Sequence, residues 1–154
     1  MNKLLPIFLK LESQPCLVVG GGKIAYQKIL QLLESEAYVT VIAPTIHKSI
    51  KSLKVEVKKR KYKSEDLSSY QLIIAATDNE KVNKQIYHDA KSRGIPINVV
   101  DQPKLCSFYM GSVYQDGDVK IAISTNGKCP TFGRFLRDHI QNISRELWGK
   151  SLEK

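Results

Sequence analysis

Short apolar runs rich in β-branched residues alternate with segments of helical periodicity over the first two thirds of the chain, and few folds accept that alternation. Cys16–Gly20, Val39–Ala43, Val55–Lys59, Leu72–Ala76 and Ile95–Val99 have the length and composition of strands. Between them, Ile24–Glu36 places Ile29, Leu32 and Leu33 on one helical face, and Glu80–Arg93 does the same with Val82, Ile86 and Ala90. Strands that are apolar throughout need cover on both sides. The pattern therefore predicts an α/β fold with a Rossmann-type, doubly wound parallel sheet.

The pattern changes near residue 112. Ser112–Gln115 and Asp118–Ser124 flank Asp116-Gly117, a turn signal that predicts an antiparallel hairpin. From Pro130 to about Leu147, the residues Phe132, Leu136, Ile140, Ile143 and Leu147 share one face of a final amphipathic helix, with Pro130 in its first turn. Residues 1–111 are thus expected to form the sheet domain, and residues 112–154 a small hairpin-plus-helix region. The hairpin and the apolar face of the last helix predict a homodimer.

Three glycines, Gly20, Gly21 and Gly22, separate the first strand from the first helix. Gly20, Gly22 and Ala25 satisfy G-x-G-x-x-A in the strand-to-helix setting that gives this pattern its meaning. The first glycine permits a tight turn, the second lets a pyrophosphate approach bare backbone, and the small Ala25 lets helix and strand pack closely. Amides at the helix start then face the phosphates. A dinucleotide is the expected ligand. The acid that would grip its ribose at the end of the second strand is missing, since Val39-Thr40-Val41-Ile42-Ala43-Pro44-Thr45 stands there. This position alone does not choose between NAD and NADP.

Composition narrows the partners. Lys and Arg outnumber Asp and Glu by 24 to 15, which favours anionic ligands. The cations are dispersed without an aromatic stacking series or a nucleic-acid motif, so no nucleic-acid partner is expected. The short run Lys58-Lys59-Arg60-Lys61 reads as a solvated strand end. Without a signal-peptide h-region or a membrane-length apolar run, a soluble cytoplasmic protein is expected. Cys16, Cys106 and Cys129 form no CxxC pair, and His47, His88 and His139 share no ligand spacing, so no resident metal is expected. Cys16 reads as a buried strand residue.

Taken in order, LPIFLKLESQPCLVVGGGKIAYQKI, VTVIAPT, LIIAATDNEKVN, INVVDQPKLCSF and IAISTNGKCPTFGRFLRD resemble the siroheme synthase N-terminal family, from about Leu5 to Asp138. The resemblance implies NAD-dependent dehydrogenation of precorrin-2 to sirohydrochlorin in siroheme biosynthesis, by a homodimer with a Rossmann domain and a dimerisation region. It implies nucleotide contacts at Lys23 and Ile24 beside the glycines and at Pro44 and Thr45, with Thr77 and Asp78 bordering the same cleft. It also implies that Asp101 is the catalytic carboxylate. Relatives usually continue further as a helical domain, so this chain, read to Lys154, is shorter than is usual in the family.

Each position also has an ordinary structural use. Thr77-Asp78-Asn79-Glu80 fits a capping box for the second long helix. Asp101 could be only a turn residue ahead of Gln102-Pro103, yet it follows a strand's C-terminal end, where open α/β sheets bind ligands. A carboxylate there suits a general base, because the oxidation removes a proton as well as a hydride. Ser124, Thr125, Asn126, Gly127 and Lys128 precede the last helix, where free amides, the helix dipole and the lysine could hold substrate carboxylates. Asn126 tolerates a left-handed backbone. Arg134 and Arg137 could add guanidinium forks, or be merely solvated. Two alternatives remain open: a bifunctional dehydrogenase and sirohydrochlorin ferrochelatase reusing Asp101, and a non-catalytic nucleotide-sensing module.

Overall fold

The predicted strands pair in parallel because, apart from one at the edge, they have no polar face to offer solvent. A computed structural model describes residues 4–151, with side chains through Ser144. Strands β1 (Pro15–Val19), β2 (Tyr38–Ile42), β3 (Glu56–Lys58), β4 (Leu72–Ala75) and β5 (Ile97–Val99) form one sheet in the order β3-β2-β1-β4-β5. All four residues of β4 are buried, as are Cys16–Val19 of β1. The edge strand β3 is largely exposed. The result is the expected Rossmann-type sheet.

Helix α1 (Lys23–Leu33) buries Ala25, Ile29 and Leu32, a stripe at helical spacing. A short α2 (Lys48–Lys51) follows β2, and α3 (Glu80–Ser92) buries Asn83, Ile86 and Ala90. Leu17, Ile73, Ile86 and Ile97 are essentially inaccessible and sit in one cluster with Ile42 and Leu67. Each such side chain contributes roughly 1.5–3 kcal/mol of burial. Cys16 is fully buried, and burial pushes its thiol up to about 11. It is a packing residue.

The chain divides into two units, Ile7–Phe108 and the part from Tyr109 onward together with the residues ahead of Ile7. In the second unit β6 (Ser112–Asp116) and β7 (Val119–Ile123) pair antiparallel, with Asp116 opposite Val119. The two-residue loop is therefore Gly117-Asp118, one step later than the turn signal suggests. Gly117, at φ +54°, takes the first loop position, where a type II′ turn needs glycine. Helix α4 (Pro130–Ser151) meets this hairpin at Gly133, where a Cβ would lie 3.2 Å from Ser112 Oγ. Phe132, Phe135 and Ile143 remain exposed on α4, as do Val113, Val119 and Ile121 on the hairpin. The side chain of Leu147 lies outside the described residues.

Candidate functional site

In a parallel sheet all strands end on the same side, and here the ladder continues one step past four of them. Gly20 N–H donates to the Ile42 carbonyl (2.9 Å), Ala43 N–H to Lys58 (3.3 Å), Ala76 N–H to Val19 (2.8 Å) and Val100 N–H to Ala75 (2.9 Å). These bonds align the β1–α1 loop, Pro44-Thr45, Thr77-Asp78 and Asp101 along one edge of the Ile7–Phe108 unit. Every position expected to contact the nucleotide is brought to that edge, together with the expected catalytic carboxylate.

The three glycines have three different causes. Gly20 sits at φ +130°, and a Cβ there would run into the Ala76 carbonyl. Gly21 packs so closely on the loop after β2 that a Cβ would strike the Thr45 carbonyl and lie 3.0 Å from Ala43 Cβ. The same loop is tied down by His47 N–H donating to the Gly21 carbonyl at 2.8 Å. Gly22 is different: a Cβ on it would meet nothing within 4 Å. The space over Gly22 is open.

Gly22 is also the N-cap of α1, in extended geometry and without a side-chain cap. Amides in the first turn therefore keep their hydrogen-bonding capacity, and the positive end of the helix has Lys23 beside it and no acid in that turn. Bare backbone, uncapped amides and positive potential together fit a pyrophosphate. The buried Ala25 lets α1 approach the sheet closely, as the motif requires. Ile24 is exposed at the same helix start.

Thr77 is not the cap that its spacing suggests. Asn79 caps α3, its side chain accepting from Lys81 and Val82 amides at 3.0 and 3.2 Å. Thr77 Oγ1 instead donates to Asn83 Oδ1 at 2.7 Å and accepts from the Asn79 amide at 3.2 Å. Asn83 Nδ2 in turn donates to the Thr77 carbonyl at 2.9 Å. Asn83, 3% exposed on the apolar stripe of α3, thus fixes the β4–α3 loop. A polar residue at a stripe position was the available sequence signal.

Asp101 is exposed at φ +60°, a left-handed conformation that Asp tolerates better than most residues. Its turn is closed by Gln102 N–H donating to the Val99 carbonyl at 3.2 Å. Beside it, Cys106 Sγ accepts from the Val99 amide at 3.2 Å and donates to the Val99 carbonyl at 3.2 Å. Burial pushes the Cys106 thiol up, opposed by the Val99 hydrogen bond and by Lys28. Lys28, absent from the sequence-based site, is half-buried on α1. Its burial pushes the ammonium below the usual lysine range, while Asp101 and then Cys106 draw it back up. The sequence signal was a lysine beside the buried stripe of Ala25, Ile29 and Leu32.

In the second unit, Asn126 and Gly127 both adopt positive φ, +56° and +72°. Ser124 Oγ accepts from the Asn126 amide and Thr125 Oγ1 from the Cys129 amide, both at 3.2 Å. The loop is held by its own hydroxyls, with Lys128 exposed. Arg137 is engaged with the neighbouring Asp138 at 2.6 Å.

Residues 7–112 match the family described as "Putative NAD(P)-binding", and residues 116–143 match "Sirohaem biosynthesis protein central". The "Siroheme synthase" of Vesicomyosocius okutanii is 40% identical over 153 residues, covering 97% of this chain and 33% of that protein. That of Methylococcus capsulatus is 41% identical over 149 residues, covering 94% and 31%. The chain spans about a third of the length of these relatives. The solved structure of "SirC, precorrin-2 dehydrogenase" matches with a TM-score of 0.76 at 27% identity, over 90% of this chain and 70% of that one.

Proposed function

Because this chain belongs to the NAD(P)-binding family matched by residues 7–112, we propose that it is an NAD-dependent oxidoreductase that converts precorrin-2 to sirohydrochlorin in siroheme biosynthesis. The observation that carries this reading is the glycine loop. Gly20 and Gly21 are occupied by protein packing, while Gly22 opens onto uncapped helix amides at the sheet edge that also presents Asp101. The name of the structural match supplies the substrate class.

The oxidation removes a hydride from one ring carbon and a proton from elsewhere in the macrocycle, and NAD, when bound, supplies the hydride acceptor. The residues of the chain do the remaining work. Gly22 and the first amides of α1 receive the pyrophosphate, with Lys23 and Ile24 at the helix start. Pro44 and Thr45 border the ribose, and Thr77 and Asp78 line the neighbouring loop. Asp101 accepts the proton. Lys28, which interacts electrostatically with Asp101, adds positive potential at that carboxylate. Ser124–Lys128 offers amides and one ammonium to the carboxylates of the tetrapyrrole.

The exposed apolar residues of the hairpin and α4 favour a homodimer, since a second copy would remove them from water. No helix among the described residues is long and apolar enough to cross a membrane. We place the reaction in the cytoplasm. The test is absorbance of NADH and sirohydrochlorin after mixing the protein with NAD and enzymatically made precorrin-2. Product at a rate set by enzyme concentration supports the assignment. NAD binding without product, beside an authentic dehydrogenase that turns over, would leave a nucleotide-sensing module.

A further inference from the structure

We propose that Cys106 is a positioning residue for Asp101: its thiol ties both ends of the turn that carries the carboxylate and so sets where the proton of the macrocycle is received. The inference rests on the dehydrogenase reading above, with Asp101 as the base. It starts from the position of β5 at one edge of the sheet, with β4 on one side only. Ile73 N–H donates to the Pro96 carbonyl and Val100 N–H to the Ala75 carbonyl, both at 2.9 Å, across the β4 side. Backbone groups alternate in direction along a strand, so those of Ile97 and Val99 face outward and need other partners.

Ser107 and Cys106 stand in for a sixth strand. Ile97 N–H donates to Ser107 Oγ at 2.8 Å, and the Ile97 carbonyl accepts from Ser107 N–H at 2.9 Å. Val99 N–H donates to Cys106 Sγ at 3.2 Å, and the Val99 carbonyl lies 3.2 Å from the same sulfur. Asn98, buried on β5, holds the segment from the other side, with Nδ2 donating to the Phe108 carbonyl at 2.9 Å. The sulfur is thus anchored to the sheet edge independently of the turn that follows β5.

That turn runs from Val99 to Gln102, with Asp101 at its third position and φ +60°. A left-handed backbone persists in a residue other than glycine only when its surroundings hold it. Cys106 Sγ lies 3.4 Å from the Gln102 carbonyl as well as within reach of Val99, so one thiol contacts the first and last residues of the turn. Among the described residues, Cys106 is the sole side chain hydrogen-bonded to either of them. Burial pushes the thiol up, so near neutral pH it keeps the hydrogen it donates. No cation among the described residues holds the exposed Asp101 carboxylate within ion-pair distance, so the backbone of the turn sets its direction.

Steady-state oxidation of precorrin-2 by the full chain with NAD tests the proposal, using wild type, Cys106→Ser, Cys106→Val, Asp101→Asn and the Cys106→Val, Asp101→Asn double variant. Calorimetric binding of NAD checks that each is folded. Cys106→Val, which keeps the bulk and loses both hydrogen-bonding roles, should lower kcat by about tenfold or more while KM and NAD affinity change less than about twofold. Cys106→Ser can still donate and accept, and should stay within about threefold of wild type. In the Asp101→Asn background, Cys106→Val should change turnover by less than about twofold, because the group it positions is already gone. A general loosening of the fold would instead slow both backgrounds alike. Should Cys106→Val fail to bind NAD, Cys106→Ala gives the same comparison without added bulk. Wild-type kcat in the variant lacking the thiol, Cys106→Ser as slow as that variant, or equal losses in both backgrounds overturns the role of Cys106 and leaves the dehydrogenase reading intact. Absence of product from folded, NAD-binding wild type removes that reading and this inference together.

Discussion

Gly21 and Gly22 are adjacent and chemically identical, yet they answer to different constraints, and two substitutions separate them. A methyl on Gly21 meets the Thr45 carbonyl and Ala43, so Gly21→Ala should lower both thermal stability and dinucleotide affinity. A methyl on Gly22 meets no protein atom within 4 Å. Gly22→Ala should therefore keep the melting temperature within a few degrees, at a cost of about 1 kcal/mol or less as an N-cap change, while dinucleotide binding weakens more than about tenfold in calorimetry. Asp101→Asn should retain dinucleotide affinity and lose roughly 100-fold or more in turnover, as expected when a general base is removed. The G-x-G pattern is visible in three letters. The role of Gly21 is not, because it depends on a carbonyl 24 positions further along the chain.

The elements flanking the site carry their own stabilising contacts. Asn79 is the sole side-chain cap of α3 among the described residues. Asn79→Ala should cost about 1 kcal/mol and lower the melting temperature by about 2–4 °C in calorimetric scans. After β3, the Arg60 guanidinium hydrogen-bonds the Asp66 carboxylate and holds it below its ordinary value. Burial opposes this shift, and the Lys63 amide, donating at 2.8 Å, reinforces it. A depressed carboxylate contributes stability that is complete above its unfolded value, about 3.9, and is lost as pH falls through the lower folded value. Urea unfolding at about pH 5 and about pH 3 should show a larger loss of stability on acidification for wild type than for Asp66→Asn. Periodicity located α1 and α3 to within a few residues. It missed α2 and the turn around Asp66, which are too short to show a period.

For the whole molecule, the uncovered apolar residues are the main guide to assembly. Val113, Val119 and Ile121 on the hairpin and Phe132, Phe135 and Ile143 on α4 are each more than a third exposed. Sedimentation at micromolar concentration should give the mass of two chains. Phe135→Glu should shift the protein toward the mass of one chain while the Ile7–Phe108 unit keeps its dinucleotide affinity. A monomeric wild type would leave the apolar hairpin and helix without a reason.

Local pattern was enough to determine the strands, the long helices between and after them, the parallel sheet and the place of the glycine loop. Unbroken apolar runs, a 3.6-residue stripe and three glycines are properties of neighbouring residues. Tertiary structure decided what rests on distant pairs. Lys28 and Asp101, 73 positions apart, interact electrostatically only in the folded chain. Gly21 packs against the Thr45 carbonyl only because β1 pairs with β2. These pairings join residues far apart in the chain, and no short window of sequence contains both partners.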